Sequence, residues 1–98
     1  MSAYILRVSG AKEPCFPQAR GREISPKTFS LEELQAIVGG YIELVKLTDD
    51  VVMIVDEEGK FKDYPMNYAA TALWAKCHPG YSDWIAGDVV VCSTDMID

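Results

Sequence analysis

This sequence predicts an α+β domain: an antiparallel or mixed sheet of four to five strands with two short helices on one face. Three observations carry the prediction. Strand-like and helix-like segments follow in the order strand, long connection, helix, hairpin with a third strand, helix, strand, which segregates helices from an antiparallel sheet. The run Val51–Asp56 is apolar on both sides, as a central strand is. Both helical stretches are short and carry capping residues. With 98 residues, 49% hydrophobic and 24% charged, the chain has the size and composition of one globular domain, residues 1–98.

Ala3–Ser9 reads as the first strand, rich in β-branched and aromatic residues, with Tyr4, Leu6 and Val8 on one side of a two-residue period. Residues 10–28 carry Pro14, Pro17, Pro26 and two glycines, so they form a long loop or an edge hairpin, with Arg22-Glu23-Ile24 as a short extended piece. Unstructured loops beyond roughly 12–15 residues are uncommon in compact domains, which favours a hidden strand here. Ser30 and Glu33 then have the spacing of a capping box, and Phe29 with Leu34 that of a hydrophobic staple. Leu31, Leu34, Ile37 and Val38 share one helical face, and Gly39-Gly40 offers a positive-φ exit.

Tyr41–Leu47 and Val51–Asp56 are separated by Thr48-Asp49-Asp50, short enough to force an antiparallel hairpin. Glu57-Glu58-Gly59 makes the next turn, and Lys60–Asp63 returns as a short edge strand. Asn67 caps a second helix whose Ala69, Ala70, Leu73, Trp74 and Cys77 recur at helical spacing, and Pro79-Gly80 ends it. Val89–Cys92 is a final buried strand, and residues 93–98 read as a frayed tail. Two short helices cover only one face of such a sheet, so a second copy or the N-terminal loop is expected over the other, as in a homodimer.

The net charge of −6 is unevenly placed: residues 1–28 hold five Lys/Arg against two acids, residues 29–98 four against thirteen. A body this acidic repels the phosphate backbone and argues against general nucleic-acid binding. No apolar run approaches the roughly 20 residues that span a bilayer, and the start lacks a basic leader, so a cytoplasmic protein without membrane attachment is expected. Cys15, Cys77 and Cys92 are odd in number and widely spaced, which suits a reducing compartment and not a disulfide framework.

Chemistry-bearing residues each have a plainer reading. Cys77-His78 has the residue types of a nucleophile pair or zinc site, but His78 is the only histidine and no second pair has ligand spacing, so both are read as structural. Asp49, Asp50, Asp56, Glu57, Glu58 and Asp63 gather at the hairpin ends without the alternating positions of a calcium loop. Gly39-Gly40 follows a helix instead of preceding one, the wrong order for a phosphate cradle. Ser30 is a cap with no nucleophile elbow around it. The aromatic residues Tyr41, Tyr64, Tyr68, Trp74, Tyr81 and Trp84 could alternate with Arg20, Arg22 and Lys27 to stack bases, but core or rim positions explain most of them. No catalytic residue, metal or cofactor is expected.

Leu31–Glu43, including Gly39-Gly40-Tyr41-Ile42-Glu43, followed by Val51–Lys60, Pro65-Met66-Asn67 with Ala69-Ala70, and Ile85-Ala86-Gly87-Asp88, resembles domain-of-unknown-function family 3846 over residues 31–92. Asp56 stands where the family often has Asn, and Tyr68 where it often has Arg, which removes a charge that a ligand-binding reading would want. The resemblance implies a small bacterial, phage or mobile-element protein and carries over no catalytic residue. Two functions are therefore weighed. One is a non-enzymatic binding or inhibitory module whose acidic surface, Asp49, Asp50, Asp56, Glu57 and Glu58, meets a basic protein partner. The alternative is a small-ligand or nucleotide-binding domain using Tyr41, Asn67 and Trp84 around a pocket at the helix ends.

Overall fold

The computed structural model describes residues 3–18 and 26–97. In chain order they form β1 (Ala3–Leu6), β2 (Lys12–Cys15), α1 (Leu31–Val38), β3 (Ile42–Lys46), β4 (Val51–Asp56), α2 (Tyr68–Cys77) and β5 (Val89–Ser93), then a 3-10 turn at Thr94–Met96. The strands make one sheet in the order β2-β1-β5-β4-β3, and every pairing is antiparallel. The α+β class, the antiparallel sheet and the two short helices are as the sequence predicts.

Strand register decides the layering. Ile5, Val90, Ile54 and Leu44 stand in one cross-strand row, and Tyr4, Val91, Met53 and Val45 in the next; adjacent rows face opposite sides of a sheet. Ile54 and Val52 pack with Phe29, Leu34 and Val38 around α1. Met53 and Val55 pack with Val89, Val91 and Ala70, against which Leu73 and Trp74 of α2 lean. Thus α1 covers one face and α2 the opposite one. β4 is apolar on both sides because each side has its own cover within the chain, and the uncovered face that called for a second copy or the N-terminal loop is not there.

Local chemistry shapes α1 as its sequence implies. Ser30 Oγ accepts from Glu33 N at 3.2 Å, and the Glu33 carboxylate accepts from Ser30 N at 3.1 Å, closing the capping box. Phe29 and Leu34, the staple pair, are both 1% exposed; burying such side chains stabilises by roughly 1.5–3 kcal/mol each. Gly39 ends the helix at φ 98°, with its N–H on the Gln35 carbonyl, a left-handed position that glycine adopts without strain.

One favoured strand is present, and two other segments differ from expectation. The connection after β1 contains a real strand, β2, whose Pro14 is tolerated because it lies on the sheet edge; Arg22-Glu23-Ile24 falls outside the described residues. Lys60–Asp63 is a turn and not an edge strand: the Glu58 carbonyl takes the N–H groups of Phe61 and Lys62 at 2.9 and 3.0 Å, and Asp63 has φ 59°. The tail is docked rather than frayed through residue 97: Phe29 N donates to Met96 O at 2.8 Å, and Met96 and Ile97 pack on the α1-side core.

Candidate functional site

α2 stops short of the sheet's β3 edge, so the face beyond it is left as a cleft of about 380 Å³. Its floor is Glu43 and Val45 of β3 with Val55 of β4; its walls are Trp74 of α2, Phe61 and Lys60 of the turn, and Asp83-Trp84 of the loop before β5. Phe61 is 87% exposed. Trp74 is held in place by stacking on His78, with ring centroids 4.6 Å apart and planes 14° from parallel. His78 Nδ1 in turn lies 2.9 Å from the Trp74 carbonyl.

The cleft already contains one recognised cation. Lys60 Nζ sits 4.8 Å from the Trp84 ring centroid and donates to the Asp83 carboxylate. Asp83 also accepts from Trp84 N at 2.7 Å. The Lys60 bond first, and this N–H second, hold the Asp83 carboxyl below its ordinary range. A ring face backed by a carboxylate is an ammonium or guanidinium seat. Glu43, Glu57 and Asp83 thus face the cleft with Lys60 as the single ammonium among the described residues that line it.

The expected acidic surface is divided by the fold. Asp49 and Asp50 are exposed on the β3–β4 turn, where Asp49 pairs with Lys46 at 3.0 Å. Glu57 and Glu58 are exposed at the other end of β4, roughly 20 Å away for six residues at about 3.4 Å each. Asp56 does not belong to the surface at all. Its side chain is 1% exposed and bonds Lys62 Nζ at 2.8 Å and Glu58 N at 2.9 Å. Burial opposes its ionisation, but Lys62, the Glu58 N–H and the Tyr64 hydroxyl outweigh burial and keep the carboxyl below its ordinary range.

That pair, a buried carboxylate under a partly exposed ammonium, locks α1 to β4. Lys62 Nζ also reaches the Gly39 carbonyl at 3.3 Å, placing a cation at the helix C-terminus. A Cβ on Gly40 would collide with Lys62 Nζ and lie 2.9 Å from Asp56 Oδ2, and one on Gly87 would lie 2.7 Å from the Tyr64 ring. The glycines of the Gly39-Gly40 and Ala86-Gly87 motifs are therefore there for close packing around Asp56, Lys62 and Tyr64.

The three pocket candidates are not brought into one depression. Tyr41 is 66% exposed beside Gly40, Glu58 and Lys62, in a shallow hollow separate from the cleft. Asn67 is fully buried: its amide donates to Leu6 O and Gly87 O, both at 2.9 Å, and its oxygen accepts from Ala70 N at 2.9 Å. Trp84 alone lines the cleft. Sequence reasoning missed Glu43, Phe61, Trp74 and Asp83 as cleft residues, since Lys60–Asp63 reads as an edge strand and helical spacing puts Trp74 among the apolar positions of α2. The adjacent Asp83-Trp84, a carboxylate beside an indole, was the one signal available.

Cys77 packs partly into the α2-side core, while Cys15 and Cys92 are buried free thiols on the other side. Burial pushes the Cys92 thiol up to about 11. Among the described residues, no group of three or more His, Cys, Asp or Glu is placed to hold a metal ion, and no helix is long and apolar enough to cross a membrane.

No curated protein and no solved structure matches this chain. A family model does, and its match extends beyond residues 31–92 at both ends, so that it takes in the whole of β2 and the docked tail along with the Gly39-Gly40 and Gly87 positions. With residues 9–98 matched, the chain belongs to the family described as Domain of unknown function (DUF3846).

Proposed function

We propose that this chain is a non-enzymatic binding module that holds a basic segment of a partner protein in the cleft between β3, α2 and Asp83-Trp84. The seating of Lys60 on Trp84 and Asp83 carries the reading: the cleft recognises a cation presented by its own chain, and Glu43 and Glu57 remain exposed beside it. A partner's lysine or arginine pairs with Glu43 and Glu57 beside the occupied Trp84 face. The charge of −6 accelerates encounter with a basic surface, more so at low salt. The groups that would suggest enzymatic work are committed to structure: Ser30 caps α1, Asn67 ties three backbone groups, and His78 braces Trp74. Occupying a basic surface is also how an inhibitory factor of a phage or mobile element would act.

The test places a photo-crosslinking residue at Phe61 in cells that encode the protein and sequences the captured segments. Captured segments rich in lysine or arginine, lost when Glu43 and Glu57 are both changed to lysine in a folded variant, support the reading. Captured neutral or acidic segments, or capture unaffected by the double reversal, refute it.

A further inference from the structure

We infer that the partner segment binds in extended form, as an antiparallel strand added beside β3, with an apolar residue opposite Leu44 and a lysine or arginine next to it, opposite Glu43. This rests on the cleft being a site for a basic segment and adds how the segment is held.

The backbone of β3 is arranged for it. Leu47 N donates to Val51 O at 3.0 Å and Glu57 N to Tyr41 O at 3.0 Å, which marks 47/51 and 41/57 as hydrogen-bonded pairs. Such pairs alternate along an antiparallel ladder, so Glu43 and Val45 also turn their backbone groups toward β4. The N–H and C=O groups of Ile42, Leu44 and Lys46 therefore point away from it, and among the described residues β4 is the sole strand beside β3.

The two edges of the sheet are not equally open. β2 has four residues and is blunted by Lys12 and Pro14, which has no N–H to offer. β3 has five residues and no proline, and it leaves Leu44 52% exposed. It also forms the floor of the cleft, so one added strand satisfies the free backbone groups and reaches the acidic face together.

Strand alternation then sets the recognition pattern. Leu44 lies on the α1 side of the sheet, and Glu43 and Val45 on the cleft side. The added residue opposite Leu44 shares its face and turns its own N–H and C=O toward β3. The following residue projects over the cleft opposite Glu43, its backbone pointing outward. Charge complementarity therefore selects an apolar-basic alternation.

An alternating lysine–valine peptide tests this in two N-methylated forms. Methyl groups on the valine nitrogens block the bonds to β3, whereas methyl groups on the lysine nitrogens point to solvent. Titration is expected to show the lysine-methylated peptide binding like the parent and the valine-methylated one at least about tenfold weaker, a loss the size of one or two net hydrogen bonds. Amide exchange at Ile42, Leu44 and Lys46 is expected to slow on binding. Equal affinities for the two methylated forms, with binding still abolished by Glu43→Lys, overturn strand addition and leave the cleft reading standing. Absence of binding by every form fails both. A dimer dispersed by Leu44→Lys assigns the edge to a second copy and overturns the inference.

Discussion

Asn67→Ala is expected to be far more damaging than an N-cap substitution ordinarily is. Loss of the bond from Ala70 N removes a helix cap, about 1 kcal/mol. The Leu6 and Gly87 carbonyls lose the amide that donates to both at 2.9 Å, and a buried acceptor left without its donor costs about 1–3 kcal/mol. The sum is about 3–7 kcal/mol, a large share of the roughly 5–15 kcal/mol that stabilises a domain. Urea denaturation followed by the fluorescence of Trp74 and Trp84 measures it. Asn67→Asp separates the contributions, because a carboxylate is an equally good cap acceptor but has no hydrogen to donate to the two carbonyls. At neutral pH this variant is expected to be at least as unstable as Asn67→Ala. Its new carboxyl is buried against carbonyl oxygens, so its folded pKa rises above the usual value of about 3.9, and the penalty is present above that value and relieved as pH falls toward it. An aspartate variant within about 1 kcal/mol of the parent at neutral pH, or one that gains nothing on acidification relative to the parent, would show that the two carbonyl bonds contribute little.

Three further outcomes are expected. Ser30→Ala should cost only about 1 kcal/mol, since it breaks a half-exposed cap; an unchanged denaturation midpoint would rule out the cap's contribution. The depressed Asp56 carboxyl contributes stability that is present above the ordinary carboxylate pKa and lost as pH falls through its lower folded value, so Asp56→Asn should lower Tm at neutral pH and flatten its acid limb; parallel Tm–pH curves would contradict this. Thiol labelling of the native protein should reach the partly exposed Cys77 first and Cys92 last, because burial raises the Cys92 pKa to about 11 and hides it; equal rates at the two thiols would refute that ranking.

The helix α1 and the β3–β4 hairpin were readable from the chain because their determinants lie within a few residues of one another. Ser30 needs only Glu33, Gly39 needs only the preceding turn, and Thr48-Asp49-Asp50 leaves two adjacent strands no other pairing. β4 declared itself as a buried strand by having no polar side. Asn67 was legible as a cap and nothing more, since its other partners are Leu6 and Gly87, 61 and 20 residues away. Asp56 looked like an ordinary turn acid beside Glu57 and Glu58; only the return of Lys62 and Tyr64 against the Gly39-Gly40 junction buries it.

Sequence alone determined α1, α2 and the strands β1, β3, β4 and β5, and that both sides of β4 require cover, because capping, periodicity and turn chemistry act over distances of one helical turn or one hairpin. Tertiary structure decided that α1 and α2 supply that cover from opposite faces, that β3 is left as the open edge, and that Glu43, Lys60, Trp74 and Trp84 meet in one cleft. Those outcomes depend on β5 inserting between β1 and β4. That pairing joins residues 36 to 87 positions apart, and it is selected by the burial of two whole sheet faces rather than by any local signal.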